Sequence, residues 1–494
     1  MEAASVRPAT AVAARGEAAG VQVSTVVFLL YFLLTLAGLA GVGGRLFAYI
    51  FVAASTATAL VAYYRAPGRY VAFVYALWFF APWVRRMVDL RHGYQPASFV
   101  LMAPVMVTLV ALLTSLYRAR ELRGTMMYPF VLTILGVVYA FFIGVLKNGV
   151  LPATYSLLTW LGPLGFAMHL MLNWRMFPLL RKAFLDFLWW AVPVLGAYGI
   201  YQVVALPPWD KYWMITADVA SIGQPVPFGF RAFGTMNTPG PFAVAIMAGI
   251  VFMLGTARRG MVLTLPLALV SLLLTRTRSG WVALAIGVLI VQFTGPLKRI
   301  ARNWLFVAVM LAVATPILSL DTFRSSIMRR FASFASLEDD SSIKTRAMLS
   351  RLAIQQIGAR AEGEGLGATG GGTKLLQVER QASIDNGFLE LFYVMGWPGG
   401  CLVMLGLIGQ LLTLARFRDS RADTFANASR AVFWAFLAML LIGDIFTGSS
   451  GTIFWGAYGF ACCAHAYNYA TGRALRSQQL VREYGAPAPA AVGS

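Results

Sequence analysis

The feature that most constrains this chain is a succession of apolar runs, most of them long enough to cross a lipid bilayer as a helix. A transmembrane helix needs roughly 20 mostly apolar residues, and only helices and closed barrels satisfy their backbone hydrogen bonds in lipid. Spans are predicted at 24–44, 46–64, 70–84, 97–117, 127–146, 150–172, 184–206, 239–256, 260–275, 281–295, 303–320, 387–415, 428–446 and 451–470. The sequence therefore predicts an all-α polytopic membrane protein with about 14 transmembrane helices.

Composition excludes the soluble classes. Of 494 residues, 59% are hydrophobic and 12% are charged, whereas a soluble domain has about 25% charged residues. The net charge of +20 would suggest nucleic acid in a soluble protein, but in a membrane protein it indicates basic cytoplasmic loops and an anionic ligand. Nucleic acid is therefore not an expected partner. The three cysteines lie in apolar runs without metal-ligand spacing, so no disulfide framework is expected.

The distribution of Lys and Arg predicts the orientation. With the N-terminus inside, most basic residues fall in cytoplasmic segments, as the positive-inside rule requires, and both termini are predicted to be cytoplasmic. The short outer loops hold only Arg45, Arg85, Arg86, Arg91, Lys147, Arg276 and Arg278. Two longer loops, 207–238 and 321–385, also fall on the outer face. That face has no ATP or nucleotide sugars, so chemistry there needs a substrate that is already activated.

These assignments divide the chain into seven parts. They are a disordered cytoplasmic N-terminus (1–22), N-terminal transmembrane helices (23–206), a periplasmic loop (207–238), transmembrane helices with an arginine motif (239–320), a large periplasmic loop (321–385), C-terminal transmembrane helices (386–470) and a cytoplasmic tail (471–494).

The large loop lies between the eleventh and twelfth predicted helices and is expected to contain short amphipathic helices. Leu349, Leu352, Ala353 and Ile357 form a stripe at helical spacing, which predicts a helix lying over the membrane surface. The glycine-rich stretch 363–372 follows and is predicted to form a hinge or lid turn.

Two arginines stand out because they break the positive-inside rule. Arg276 and Arg278 lie between the ninth and tenth predicted helices at the outer boundary. Guanidinium groups at headgroup depth bind a phosphate or diphosphate in bidentate fashion. The alternative is that both simply extend to the membrane interface, as long cationic side chains often do.

A second candidate segment precedes the eighth predicted helix. Gly229–Gly240 is dense in Gly and Pro, which predicts a tight turn, and within it Arg231 and Asn237 supply polar groups for a partly buried site. An ordinary helix-entry turn would have the same pattern.

A third candidate segment closes the large loop. Asp385 is placed at the membrane surface, where a carboxylate can accept a proton from a sugar hydroxyl, although Asp is also a favoured helix N-cap. Asn386 follows it directly. The acidic run Glu338–Asp340 is expected to be solvated rather than to bind a metal.

Together these segments, over about residues 225–400, resemble the O-antigen ligase and polysaccharide polymerase family of bacterial inner-membrane proteins. Arg278 takes the position of the arginine in the family's Ser-Arg pair, with Thr277 in place of the serine. Arg231 is similar to the arginine of an earlier Arg-x-x-Gly-Thr segment. Arg346, followed by Gly365-Leu366-Gly367, resembles the arginine and Gly-x-Gly of the large periplasmic loop.

The chain departs from the family's ligases at Asp385. Ligases have a His-Asn pair where this chain has Asp385-Asn386, and the histidine is implicated in their reaction. Members of the polymerase type often lack this histidine. The resemblance therefore implies a polymerase of lipid-linked oligosaccharide repeat units, for an exopolysaccharide or O-antigen, in the bacterial inner membrane.

The resemblance also implies the chemistry. The donor is a glycan on undecaprenyl diphosphate, attacked at its anomeric carbon by an acceptor hydroxyl. Arg278 stabilises the leaving diphosphate and Asp385 is the base, while Arg231, Arg276, Arg346, Asn237 and Asn386 bind substrate. No metal or other cofactor is needed, because the diphosphate is already a good leaving group. Membrane lipids, a flippase and a chain-length regulator are the implied partners.

Two other functions remain open from the residues. An O-antigen ligase would use the same donor but transfer the polymer to a lipid A core sugar. A precursor flippase or other transporter also has about 14 helices, but it should have charged residues at midmembrane rather than arginines at the outer boundary. Sugar composition, linkage, polymer length, stereochemical outcome and oligomeric state do not follow from the sequence.

Overall fold

The computed structural model describes residues 7–118, 120–121, 126–219, 221–256, 261–294, 297–318, 341–375, 384, 386–417 and 423–484. Its α-helices are α1 (Arg7–Leu39), α2 (Phe47–Arg65), α3 (Pro67–His92), α4 (Met102–Leu109), α5 (Leu112–Tyr117), α6 (Tyr128–Asn148), α7 (Val150–Leu172), α8 (Phe177–Ala205), α9 (Pro208–Ala217), α10 (Pro239–Thr256), α11 (Met261–Leu274), α12 (Arg278–Phe293), α13 (Leu297–Leu318), α14 (Ser341–Ala359), α15 (Gly387–Arg416), α16 (Thr424–Met439) and α17 (Gly448–Tyr484).

The prediction of an all-α membrane protein is confirmed. Regular structure in the described residues is helical, apart from one isolated antiparallel bridge between Gly223 and Phe230. Nine segments of the described chain are long and apolar enough to cross a membrane, and two shorter apolar helices cover 264–274 and 278–293. The nine are Gln22–Leu39, Gly44–Arg65, Pro67–His92, Phe99–Tyr117, Tyr128–Asn148, Val150–Leu172, Trp174–Ala205, Pro239–Thr256 and Gly387–Arg416. The count of 14 remains a prediction.

Several helices extend beyond the apolar runs that predicted them. α1 begins at Arg7, inside the segment 1–22 predicted to be disordered, and α17 continues to Tyr484, inside the segment predicted as a tail. The loop 207–238 contains the helix α9. α3 continues to His92, so Arg85 and Arg86 lie within a helix and not in an outer loop. Hydropathy locates only the apolar part of a helix, whereas polar residues extend it wherever they find hydrogen-bond partners.

Small residues set how closely the helices approach. In lipid, helices associate mainly through van der Waals packing, so glycine at a contact lets two backbones come together. A Cβ atom added at Gly136 of α6 would lie 2.6 Å from the carbonyl oxygen of Gly399 in α15. These two helices therefore pack backbone to backbone, and α15 is held against α6 along its length.

One end of the bundle collects the segments singled out in the sequence. Phe228 donates its backbone N–H to Val203 near the end of α8, and Ala232 donates to Leu274 at the end of α11. The Thr235 hydroxyl donates to the carbonyl oxygen of Phe79 in α3 at 2.6 Å. The segment 221–238 is thus tied to three helices, close to the ends of α8 and α11 and midway along α3.

Candidate functional site

The turn between α11 and α12 forms an arginine corner, defined here as Arg231, Arg276 and Arg278. Arg276 has a φ of 51°, which is costly for a residue with a side chain and is often found where function requires it. Its guanidinium donates to the carbonyl oxygen of Phe228 at 3.1 Å. Arg278 is the first residue of α12, where the helix dipole adds positive potential.

Arg231 joins this corner from the neighbouring loop. Its Nε donates to the carbonyl oxygen of Thr275 at 2.9 Å, and another guanidinium nitrogen donates to the Thr277 hydroxyl, also at 2.9 Å. The structure therefore brings together two segments that the sequence could only propose separately. All three arginines are partly exposed, so each retains access to solvent. Three partly exposed cations in one corner favour an anionic ligand.

A buried ion pair that the sequence analysis missed supports the adjacent turn. Arg86 in α3 and Asp210 in α9 both have side-chain exposures of 0%, with Nε and Oδ1 3.1 Å apart. Arg86 also donates to the carbonyl oxygens of Gly234 and Met236, each at 2.6 Å. Burial raises the pKa of Asp210, although the Arg86 charge opposes that rise. The pair fixes the backbone on either side of Thr235.

Gln202 of α8 completes this support. Its side-chain oxygen accepts the backbone N–H groups of Phe233 and Gly234, and its amide nitrogen donates to Asp210 at 2.7 Å. The signal for Arg86 was present in the sequence, because the positive-inside rule predicts its segment to lie on the outer side, as it does for Arg276 and Arg278.

A cavity of about 310 Å³ opens at the same end of the bundle. Its walls come from α3, α4, α7, α10, α15 and the segments 236–238, 366–371 and 444–449, and they combine aromatic with polar side chains. The aromatic and polar residues of the lining include Trp78, Tyr155, Trp160, Asn237, Glu390 and Asp444. The cavity lies at the low end of the size range of small-molecule sites.

Two carboxylates line this cavity from different elements. Glu390 lies in the first turn of α15, and Asp444 lies in the connection between α16 and α17. The Asp444 carboxylate accepts the backbone N–H of Phe446 at 2.8 Å and the hydroxyl of Thr447. Burial raises the pKa of Asp444, and these hydrogen bonds reduce the rise. A carboxyl group with a raised pKa in a cavity, as Asp444 has, is typical of acid–base sites.

Two predicted site residues, Asp385 and Asn386, directly precede α15. Asn386 is the N-cap, since its side-chain oxygen accepts the N–H groups of Phe388 and Leu389 at 3.0 and 3.1 Å. Capping was the alternative considered for Asp385, which lies outside the described residues, as does Glu338–Asp340. Arg346 lies in α14, but its side chain is outside the described part of the chain.

Asn237, predicted from the sequence to bind substrate, lies at the wall of the cavity. Its side-chain oxygen is buried with no hydrogen-bond partner in the described part of the chain. A buried amide oxygen without a partner costs about 1–3 kcal/mol. A ligand hydroxyl in the cavity would supply the missing donor.

The cavity and the arginine corner are neighbours. Pro241 of α10 lines the cavity, and two residues further on the Cβ of Ala243 lies 3.0 Å from where a Cβ of Gly280 would stand. Gly280 itself follows Arg278 by two residues. The corner is therefore on the order of 10 Å from the cavity, given the spacing of residues on helices.

The glycine-rich segment is packed rather than free to act as a hinge. A Cβ added at Gly365, whose φ is +79°, would lie 2.2 Å from the backbone nitrogen of Gly144 in α6. Asn148 donates to the carbonyl oxygens of Glu364 and Leu366 at 2.8 and 3.0 Å. The prediction of a hinge or lid is therefore wrong for residues 363–367, which are wedged between α6 and α15.

Residues 363–367, the wedge, pack against a kink in α15. Gly396 has a non-helical backbone with φ 62°, and this frees carbonyl oxygens that an unbroken helix would occupy. Those of Tyr393 and Val394 accept the N–H groups of Glu364 and Gly365 at 2.9 and 2.8 Å. Leu366 and Gly367 are thereby held at the cavity wall.

No protein-family model and no curated protein matches this chain. What the fold defines is a class, that of polytopic all-α membrane proteins. Within that class, the molecule is characterised by a cavity with two carboxylates beside an arginine corner.

Proposed function

We propose that this protein is a membrane glycosyltransferase that polymerises lipid-linked oligosaccharide repeat units at the outer face of a bacterial inner membrane. The observation that carries the proposal is the pairing of a small cavity, lined by two carboxylates and aromatic rings, with three arginines that meet at the neighbouring turn between α11 and α12. Glycan transfer from a lipid diphosphate needs both an anion site and a sugar site.

The arginine corner is the proposed diphosphate site. Guanidinium groups hold phosphate oxygens with bidentate geometry, and their charge favours the leaving undecaprenyl diphosphate. The corner lies at the ends of α11 and α12, where a lipid headgroup is within reach of a partly exposed side chain. The lipid tail then remains in the bilayer while the glycan extends towards the cavity.

The cavity is the proposed site of sugar transfer. The acceptor hydroxyl oxygen attacks the anomeric carbon, the bond from that carbon to the diphosphate oxygen breaks with its electron pair, and the hydroxyl proton passes to a carboxylate. Asp385, chosen from the sequence, is the first proposed base, and Glu390 and Asp444 are the carboxylates that line the cavity. The rings of Trp78 and Trp160 offer apolar faces for a sugar ring.

The acceptor distinguishes this proposal from an O-antigen ligase, which would use the same donor site. Replacement of the ligases' histidine by Asp385 favours the polymerase. A flippase and a chain-length regulator are the proposed partner proteins, and both termini are proposed to be cytoplasmic.

The test compares the polysaccharide and lipid-linked intermediates of cells lacking the gene with those of complemented cells, by gel and mass spectrometry. A polymerase predicts single repeat units on lipid, accessible at the outer face. Full-length polymer retained on lipid would indicate a ligase, and single units confined to the inner face would indicate a flippase.

Point variants then test the site itself. Arg278→Ala, Glu390→Gln and Asp444→Asn should each reduce polymer formation by about a hundredfold or more at unchanged protein level. Arg45→Ala is the matched control, because Arg45 is an exposed arginine predicted on the same face but outside the corner. Full activity in Arg278→Ala would remove the arginine corner from the mechanism.

A further inference from the structure

A second, more open groove lies beside the cavity and has no role in the function proposed so far. It has a volume of about 630 Å³ and is lined by residues of α14, α15 and the segment between them. Its lining includes Leu352, Gln355, Gln356, Arg360, Glu364 and Tyr393.

The wall formed by α14 is built by its helical spacing. Ala353 and Ile357 are buried at 3% and 8% exposure and attach the helix to the protein. Leu352, Gln355 and Gln356 follow at positions i, i+3 and i+4, so they share one exposed face that looks into the groove. Each Gln amide offers both hydrogen-bond donors and an acceptor.

The two charged residues that line the groove in the described part of the chain, Arg360 and Glu364, are already paired. Arg360 forms an ion pair with Glu364, and Lys147 forms another with Glu362 at 2.9 Å. A phosphate ligand requires cations whose charge is not already balanced. The groove therefore suits an uncharged ligand with many hydroxyl groups, which amide and phenol groups recognise by hydrogen bonds and the ring of Tyr393 by apolar contact.

The groove and the cavity are separated by one layer of backbone. Tyr393 and Glu364 line the groove, whereas their neighbours Val394 and Leu366 line the cavity. The backbone hydrogen bond from Glu364 to Tyr393 forms part of the partition. The groove and the cavity therefore lie on opposite sides of the same backbone segments.

We propose that this groove, next to the cavity, binds the acceptor glycan as an extended saccharide chain. The identification of the ligand as the acceptor rests on the proposed function. The binding of saccharide by the groove can be tested without any turnover.

The test uses the full chain in lipid nanodiscs. The probe is a series of oligosaccharides of one to four repeat units, released by mild acid from the cells' own lipid-linked glycan, with binding followed by saturation-transfer NMR and calorimetry. The variant Gln355→Ala/Gln356→Ala should weaken binding of the longer oligosaccharides by about tenfold, from the loss of two or more hydrogen bonds. Tyr393→Ala should weaken it similarly.

Two matched controls separate the groove from the cavity and from general damage. Arg351→Ala changes an exposed residue of α14 that does not line the groove, and it should bind the probes as the parent does. Glu390→Gln should abolish turnover yet retain binding of the longer oligosaccharides. In turnover assays the double Gln variant should raise the acceptor KM with little change in kcat and shorten the polymer.

The outcomes distinguish the two proposals. If the Gln355→Ala/Gln356→Ala variant loses oligosaccharide binding but the parent transfers no glycan, the saccharide groove is supported and the proposed enzyme activity is overturned. Transfer by the parent with equal affinity in the Gln variant would overturn the groove and leave the enzyme standing. Binding of inorganic phosphate or of anionic vesicles that depends on Gln355 and Gln356, without oligosaccharide binding, would also overturn it.

Discussion

Arg86 and Asp210 form an ion pair from which solvent is excluded, and their hydrogen bonds explain why it is tolerated. Removing two charges from water costs several kcal/mol per ion unless the remaining donors and acceptors are satisfied. Arg86 bonds two backbone carbonyl oxygens, and Asp210 accepts from Tyr198 and Gln202 at 2.8 and 2.7 Å. A charged pair is thus used to hold the turn before α10.

Removing one member of this pair should be worse than removing both. Arg86→Met leaves Asp210 buried without its counter-ion, so we expect a loss of about 3–5 kcal/mol in unfolding free energy. Arg86→Met/Asp210→Leu should recover part of that loss. Thermal unfolding of the purified protein in detergent measures both. Equal stability of the single and double variants would show that the ion pair does not hold the turn.

Asp444 gives a prediction about pH. Burial raises its pKa above the usual 3.8, so as a base it is active only when the pH exceeds this raised value. The stability contribution has the opposite trend. It is fully present below the unfolded-state pKa and is lost as the pH rises through the folded-state pKa.

The pH profile of kcat/KM for the parent, and those of unfolding for the parent and for Asp444→Asn, check both trends. We expect the parent to lose activity but gain stability as the pH falls through the raised pKa. Asp444→Asn should lack the stability change, because its amide does not titrate. An identical stability profile in the two proteins would exclude Asp444 as the titrating group.

At the scale of elements, the wedge formed by residues 363–367 determines the shape of α15. The kink at Gly396 exists because the wedge occupies the space an unbroken helix would need, and a Cβ at Gly396 would lie 2.4 Å from the carbonyl oxygen of Ala361. Glycine is needed at position 396 for two reasons: its φ is positive, and the backbone of another segment approaches it closely.

Alanine at two glycines should have opposite effects. Gly365→Ala puts a Cβ into the backbone of Gly144 at a positive φ, so we expect a loss of about 2 kcal/mol or more in unfolding free energy. Gly358→Ala, in α14 with nothing within 4 Å of the new Cβ, should be neutral or stabilising by up to about 1 kcal/mol. Thermal unfolding compares them, and similar values for both would mean the wedge is not rigid.

At the scale of the whole molecule, the site is assembled at one end of the helix bundle from segments far apart in sequence. Segments near residues 80, 155, 237, 366, 390 and 444 all reach the cavity. Antiparallel helices bring their alternate connections to the same end, so the fold gathers these loops without a separate domain.

Orientation is the prediction at this scale. In a Cys401→Ser background, Ala361→Cys should react with a membrane-impermeant thiol reagent in intact spheroplasts, because residue 361 is exposed at the end proposed to face outward. Arg175→Cys, in the exposed connection between α7 and α8, should react only after permeabilisation. The reverse pattern would place the cavity in the cytoplasm and contradict the proposed reaction.

The sequence by itself determined the fold class, because apolar runs of membrane-spanning length permit no other solution in lipid. It also singled out Arg276 and Arg278 of the arginine corner, since both break the positive-inside rule in the predicted orientation. Asn237 was found from the density of Gly and Pro around it.

Only the tertiary structure decided which residues share a site. Glu390 and Asp444 lie 54 positions apart in the chain, and nothing in their local sequence states that both face one cavity. The same holds for Arg86 and Asp210, and for Gly365, which reads as a flexible turn until Gly144 is placed 2.2 Å from its missing Cβ. Local sequence patterns indicate the chemistry available to a residue, whereas long-range packing determines which other residues lie next to it.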